Sequence, residues 1–296
     1  MATFGSAAGS GYGNPFIDSL IWGGINGAGK WVGGPITYYF ASGSYPDDPA
    51  DSGDPTDSPL GRAWLDSEED AFRLALQLYE NVCNVQFQEV FDAGTANMRW
   101  WLLDKHAAPY LGRHQVPSGE YGPQLDGIFN YQDSSWNDLS QGAYGFITVI
   151  HELGHGLGLA HPHDGGSLGD ATTFPGVKRF HASNLGTASL NQGIFTTMSY
   201  NDGWNGDPGV FPHYGYQGTP MAFDIAALQT LYGANTSYHA EAGDIYSLPG
   251  KNASGTFWSC IWDAGGADDE ISADGLTGAC KINLNAATLT PGDPAA

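Results

Sequence analysis

Residues 151–161 read His-Glu-Leu-Gly-His-Gly-Leu-Gly-Leu-Ala-His, and this stretch constrains the fold more than any other part of the chain. His151 and His155 are four residues apart, so on a helix both imidazoles lie on one face and can bind the same metal ion. Gly158 can adopt a positive φ and turn the backbone, which brings His161 back toward that ion. The pattern predicts a buried helix that runs through His155 and ends near Gly158.

Three histidine ligands indicate a catalytic zinc ion, because they leave one coordination position open. Glu152 is adjacent to the first ligand, and we expect it to act as the general base that takes a proton from the attacking water. The predicted reaction is hydrolysis of peptide bonds in protein or peptide substrates. The alternative is a non-catalytic binding or adhesin module that keeps its metal for stability, and the intact Glu152 favours the enzyme.

The charge of the chain limits its partners. The 296 residues include 10 Lys and Arg against 32 Asp and Glu, a formal net charge of −22. This charge argues against nucleic acid or an anionic membrane surface as a partner, and it suits divalent cations or a solvated acidic surface. No stretch approaches the roughly 20 apolar residues of a membrane span.

The pattern of apolar residues predicts an α+β fold. Strands are expected at residues 35–41, 85–90, 97–103 and 127–131, and an amphipathic helix at residues 67–82. A second helix is expected to begin at Thr219-Pro220 and to close at Gly233. Beyond residue 235 the helical periodicity gives way to short strand-like pieces, at residues 244–248, 256–262 and 281–285, between Gly- and Asp-rich turns. We therefore predict a catalytic domain at residues 1–235 and a β-rich segment at residues 236–296.

The cysteines and the start of the chain bear on the compartment. Cys83, Cys260 and Cys280 are too few for a disulfide framework or a cysteine-based zinc site, although Cys260 and Cys280 could pair. The first residues lack the basic and apolar regions of a secretory signal, so export by that route is not expected.

The motifs resemble those of the metzincin metalloproteases, namely HELGHGLGLAH followed by TTMSY. Pro162 directly after the third histidine and Tyr200 two residues after Met198 resemble the serralysin family, whose members are secreted, calcium-bound bacterial proteases. Similar stretches extend from FIDSLIWGG near the start to CIWDAGGADDE near the end. The resemblance implies a twisted mixed sheet with a long active-site helix, then the start of a calcium-binding β-roll or β-sandwich segment.

The same resemblance assigns further roles. Met198 is expected in a tight turn beneath the zinc ligands, and Tyr200 as an additional zinc ligand that moves aside to stabilise the oxyanion during turnover. The resemblance also implies at least one structural calcium site. Its ligands are expected from two short segments: Glu241, Gly243, Ile245, Asp263, Gly265, Gly266 and Asp268.

The resemblance also implies a monomeric, extracellular protein with leaderless export of the type I kind, and a small protein inhibitor as one partner. The GGxGxD repeats of the family do not follow, so we expect a truncated or processed C-terminus. The segment from His163 to Phe195 is longer than is usual in the family.

The cleft is expected beside an edge strand near residues 97–103, where an extended substrate would add as a further strand. The remaining histidines are expected in loops or on the surface: His106, His114, His163, His181, His213 and His239.

Overall fold

The computed structural model describes residues 1–23, 28–45, 60–105, 107–118, 121–164, 172–203, 215–249 and 255–280, together with residues 282 and 284. In these residues the helices and strands follow one another in this order: β1 Ala2–Ala7, α1 Pro15–Asp18, β2 Ala28–Gly33, β3 Ile36–Ala41, β4 Gly43–Ser44, β5 Leu60–Gly61, α2 Asp66–Val82, β6 Phe87–Glu89, β7 Met98–Leu103, β8 Gly112–His114, β9 Leu125–Asn130, α3 Tyr144–Gly156, α4 Ala222–Tyr232, β10 Ile245–Ser247 and β11 Glu270–Ser272.

The centre of the fold is a five-stranded mixed sheet with the order β6-β3-β7-β9-β8. Four strands are parallel, and β8 pairs antiparallel with β9 at one edge. The predicted strands at 35–41, 85–90, 97–103 and 127–131 correspond to β3, β6, β7 and β9. The prediction that 97–103 forms an edge strand was wrong, because β7 lies between β3 and β9. The edge is β8, which is only three residues long and carries too little apolar pattern to be recognised.

Helix α2 covers one face of the sheet with the side chains that its spacing predicted. Phe72, whose ring is fully buried, contacts Trp100 of β7 and Phe129 of β9, with centroid distances of 5.1 and 4.9 Å. The helix begins at Asp66, one residue before the predicted start. The carboxylate of Glu68 caps it by accepting a hydrogen bond from the Leu65 N–H at 2.8 Å.

Helix α3 packs against β8, β9 and α2, and two of its glycines allow close approaches. A Cβ on Gly154 would lie 2.9 Å from Met198 Sδ, and one on Gly156 would lie 2.8 Å from His114 Cε1. The hydroxyl of Tyr79 in α2 donates to the carbonyl of Ile150 at 2.7 Å, which ties the two helices together. These close contacts fix the position of α3 in the fold.

The described part of residues 236–280 contains one short parallel strand pair, β10 with β11, and no repeated β-roll turns. The β-roll and the boundary at residue 235 remain predictions, and the predicted strand at 281–285 lies largely outside the described residues.

Cys83, Cys260 and Cys280 are all free, so the Cys260–Cys280 pairing was wrong. Cys260 is half-buried beside Thr219, whereas Cys280 is exposed. No helix in the described ranges is long and apolar enough to cross a membrane.

Candidate metal centre

The candidate centre is built on the last two turns of α3 and the segment that follows. Residues His151, Glu152 and His155 lie within the helix, and the chain leaves it at Leu157. Gly158 has φ +99°, the left-handed region that glycine permits, so the chain turns back as the sequence predicted. The turn is secured by the N-terminal region, since Trp22 N–H donates to Gly158 O at 2.8 Å.

This turn brings the three predicted ligands together. His161 Nε2 lies 3.1 Å from His151 Nε2 and 3.0 Å from His155 Nε2. A tetrahedral zinc ion with Zn–N bonds of roughly 2.0–2.1 Å holds its nitrogens about 3.4 Å apart, so a small outward movement would seat the ion.

The other ring nitrogen of each histidine fixes the tautomer. The Nδ1 atoms of His151 and His155 each lie 2.8 Å from a main-chain carbonyl oxygen, of Thr197 and Leu159 respectively. His161 Nδ1 lies 2.6 Å from the Asp164 carboxylate. A carbonyl or carboxylate oxygen accepts only, so each Nδ1 carries the proton and each Nε2 presents a lone pair.

Three converging lone pairs repel one another unless a cation lies between them, so this donor set fits a metal ion. Burial lowers the pKa of all three imidazoles, and the proximity of the rings lowers the pKa of His155 and His161 further. The neutral rings are the form that binds zinc.

Glu152 lies beside this cluster in a largely buried position. Burial raises the pKa of its carboxyl to about 8, against the opposing effects of a hydrogen bond from the His114 N–H and the charge of Arg113. Its Oε2 atom has no hydrogen-bond partner among the described residues. A buried carboxylate oxygen without a partner is costly, and a cation or a water molecule in the cleft would satisfy it.

A small residue on the sheet edge makes room for this carboxylate. A Cβ on Gly112 of β8 would lie 2.6 Å from Glu152 Cγ and 3.0 Å from Oε1. Gly112, Leu111 and Glu152 line the same open cleft, which has a volume of about 410 Å³. Tyr110 lines the cleft beside Leu111, and the other lining residues are Tyr144, Ile147, Thr148 and His151 of α3 together with Thr197, Ser199, Tyr200, Asp202 and Gln217.

Tyr200 stands at the mouth of the cleft against the histidine cluster. Its ring centroid is 4.7 Å from that of His161 and 5.8 Å from that of His151. More than half of the surface of Tyr200 is accessible, so the ring has room to move. Met198 is fully buried below, with its sulfur against Gly154 of α3.

The turn that carries Met198 is held by α4. Asp224 is fully buried and accepts hydrogen bonds from Thr197 N–H at 2.7 Å, Met221 N–H at 2.9 Å and Thr196 Oγ1 at 2.6 Å. Thr197 therefore links α4 to the histidine cluster, because its N–H donates to Asp224 and its carbonyl oxygen accepts from His151 Nδ1.

The chain is similar in sequence to known metallopeptidases. Residues 62–181 match the matrixin family of peptidases (Peptidase_M10). The chain is 29% identical over 248 residues to a serralysin of Photorhabdus luminescens and 30% identical over 237 residues to metallopeptidase AprA of Pseudomonas marginalis. The chain belongs to the serralysin family of metzincins. The two alignments cover 77% and 73% of this chain and 47% and 46% of the relatives, so the chain spans about half the length of the curated relatives that it matches.

A further alignment, to serralysin C of Dickeya chrysanthemi, extends over 90% of this chain at 28% identity. The serralysin resemblance therefore reaches beyond residue 235 into the region of the predicted calcium ligands. There the structure brings together carboxylate oxygens of Asp244, Asp263 and Asp269, all within 4.8 Å of one another.

Only Asp263 of this carboxylate cluster was among the predicted calcium ligands. The carbonyl oxygen of Glu241 approaches Gly266, since a Cβ there would lie 2.4 Å away. Asp268 is exposed and is not part of the cluster.

Several contributors to the metal centre were missed from the sequence. Asp164 follows the third ligand at a spacing of three residues, which could have indicated a carboxylate that orients the ring. The prediction that His114 lies in a loop or on the surface was wrong, because it is buried in β8 with Trp100 Nε1 donating to its Nε2 at 3.1 Å. His163, also expected to be peripheral, packs beside His161 with ring centroids 5.2 Å apart. His106 and His213 lie outside the described residues.

Proposed function

We propose that this serralysin-family chain is a zinc-dependent endopeptidase. One observation carries the proposal: three imidazoles whose protons are directed away present their free nitrogens to a single point beside the buried carboxylate of Glu152, with His161 Nε2 at 3.0–3.1 Å from the other two. A site that served stability alone would have no need of an unpartnered carboxylate oxygen next to the ligands.

In this proposal His151, His155 and His161 hold the zinc ion. When bound, zinc supplies a Lewis acid that polarises the scissile carbonyl and makes a water molecule more acidic. A bound divalent cation also favours the ionised form of Glu152, whose pKa burial otherwise raises to about 8. Glu152 takes the proton of the attacking water and delivers it to the departing amine.

We assign Tyr200 two roles, that of an additional zinc ligand in the resting site and that of a hydrogen-bond donor to the developing oxyanion. The ring packs against His161, and its accessible side leaves it free to change position. A donor aimed at charge that develops in the transition state is worth roughly 3–4 kcal/mol in comparable sites.

Extended protein segments suit the cleft as substrates. Strand β8 pairs with β9 on one side, and on its other side no strand of the described sheet pairs with it. An extended peptide can hydrogen bond to such an edge through its main chain, with little dependence on its side chains. Main-chain recognition beside Glu152 and the metal would direct cleavage to unstructured segments and give broad specificity.

We also propose a structural calcium site in the C-terminal region. The carboxylates of Asp244, Asp263 and Asp269 repel one another in the absence of a cation, and oxygen ligands are those that calcium prefers. The predicted set of Glu241, Gly243, Ile245, Asp263, Gly265, Gly266 and Asp268 extends around the same loops. By family membership we further propose secretion by a leaderless route, a monomeric state and inhibition by a small protein.

Metal analysis combined with digestion tests the endopeptidase proposal. The purified protein should contain one zinc per chain and cleave a denatured casein-type substrate. Removal of zinc with a chelator should abolish cleavage, and addition of zinc should restore it. A protein that binds zinc stoichiometrically but cleaves nothing would instead favour the non-catalytic binding module.

A further inference from the structure

His163 lies two residues beyond the third zinc ligand and packs on two side chains of the proposed site. Its ring centroid is 5.2 Å from that of His161, with the planes inclined by 25°. It is 4.9 Å from the centroid of Tyr200, with the planes inclined by 55°. The centroids of His161 and Tyr200 are 4.7 Å apart, so the three rings form a nearly equilateral triangle in which His163 contacts both of the others.

The Nδ1 atom of His163 takes no part in holding the ring there. Its Nδ1 atom is inaccessible to solvent and has no hydrogen-bond partner within the described part of the chain. Leaving such an atom unpaired costs free energy, so the ring contributes through its contact surface rather than through a hydrogen bond at this atom.

The backbone on which this ring stands is fixed by the segment after residue 172. Phe180 N–H donates to the carbonyl of His163 at 2.7 Å, and Phe174 N–H donates to the carbonyl of Pro162 at 2.9 Å. Phe180 has φ +64°, a conformation that is unfavourable for a residue with a bulky side chain. Such strain persists where the surrounding structure requires it.

We propose that His163 is a positioning residue, which confines the ring of Tyr200 to the neighbourhood of the zinc ligands. Tyr200 is 56% exposed, and the rings of His151, His161 and His163 pack against it. Of these three residues, His163 is the one that is not a predicted zinc ligand. The proposal rests on the proposed function, because the confinement matters only if Tyr200 acts at the metal.

Kinetics of a double-mutant cycle test this role. In His163→Ala, kcat should fall about tenfold with KM changed by less than about twofold, since misplacement of a group that acts in the transition state lowers kcat. His163→Phe keeps a ring and should recover kcat to within about threefold of wild type. In a Tyr200→Phe background, His163→Ala should change kcat by less than about twofold, because the side chain that it positions is already disabled. The exposed His181 provides the matched control, and His181→Ala should behave as wild type.

The visible absorption spectrum of the Co²⁺-substituted protein gives a readout that does not depend on cleavage. The spectrum of His163→Ala should shift from that of wild type toward that of Tyr200→Phe, and the double variant should match Tyr200→Phe alone. This spectrum tests His163 even if wild type cleaves nothing, an outcome that would overturn the proposed function only.

Three results would overturn the role of His163. The first is a wild-type kcat and cobalt spectrum in His163→Ala. The second is an equal loss of kcat in the presence and absence of the Tyr200 hydroxyl. The third is a reduced metal content in His163→Ala, because the ring would then support His161 rather than Tyr200.

Discussion

The Asp224 carboxylate accepts a hydrogen bond from the main-chain N–H of Thr197 at 2.7 Å, and through it α4 holds the turn beneath the metal centre. The carbonyl of the same Thr197 accepts from His151 Nδ1 at 2.8 Å. A buried carboxylate in α4 thus orients a predicted ligand in α3 by way of a single residue, Thr197.

Replacement of Asp224 should therefore destabilise both the fold and the metal site. In Asp224→Ala, three donors lose their buried acceptor, and the free energy of unfolding should fall by about 3 kcal/mol or more. Zinc affinity should also decrease, because the Thr197 carbonyl is no longer held against His151. Chemical denaturation and zinc titration measure the two effects. The exposed Asp66, replaced by Ala, should cost less than about 1 kcal/mol. Equal stabilities of the two variants would contradict this account.

The size of residue 112 should control the position of Glu152. In Gly112→Ala the new Cβ would overlap Glu152 Cγ, so the carboxylate must move and kcat should fall about 10-fold to 100-fold. Zinc content should remain unchanged, since the three atoms nearest the new methyl group all belong to Glu152 and not to a zinc ligand. Gly122→Ala is the matched control, because a Cβ there meets no atom within 4 Å. Full activity in Gly112→Ala would show that the geometry of Glu152 is not critical.

The buried His114 should make stability depend on pH. Burial lowers the pKa of its ring to about 4, from 6.5. As the pH falls below 6.5 the unfolded chain takes up a proton that the folded chain does not accept until about pH 4. The contribution of His114 to stability should thus decline between pH 6.5 and 4, by about 3 kcal/mol in total, and then level off.

Comparison with His114→Gln isolates this effect, because a glutamine oxygen can still accept from Trp100 Nε1. Free energies of unfolding at several pH values should decrease less steeply for the variant than for wild type between pH 6.5 and 4. Identical slopes would mean that His114 already carries a proton in the folded protein.

The sequence predicted the histidine cluster and the inner strands of the sheet better than the edge strand β8. The histidine spacing and Gly158 were sufficient to predict the helix, its end and the convergence of three ligands, because each follows from local backbone geometry. The aromatic and β-branched runs likewise located β3, β7 and β9.

Features that depend on contacts between distant segments were not predictable from one chain. Strand β8 is three residues long, and it forms because β9 offers an edge, not because its own residues favour a strand. The burial of His114 and Asp224 is likewise set by elements far away in the sequence. The membership of the carboxylate cluster depends on how two turns meet, which explains why Asp263 was expected and Asp244 and Asp269 were not.

Calcium should stabilise the protein through the carboxylates of Asp244, Asp263 and Asp269. Addition of calcium to chelator-treated protein should raise Tm by roughly 5 °C, since a ligand that binds only the folded state stabilises it. Asp269→Asn should remove most of this rise, whereas Asp268→Asn, outside the cluster, should retain it. The reverse order would favour the set expected from the sequence over the set that the fold brings together. Thermal unfolding with and without calcium distinguishes the two.

Cleavage of a denatured protein by wild type and by Glu152→Gln, with zinc content measured on the same samples, tests the central claim most directly. Glutamine has the shape of glutamate but cannot accept the proton of the attacking water, so the account predicts equal zinc content and a loss of kcat of about 100-fold to 10,000-fold. Equal cleavage by the two proteins, or no cleavage by zinc-loaded wild type, would contradict it.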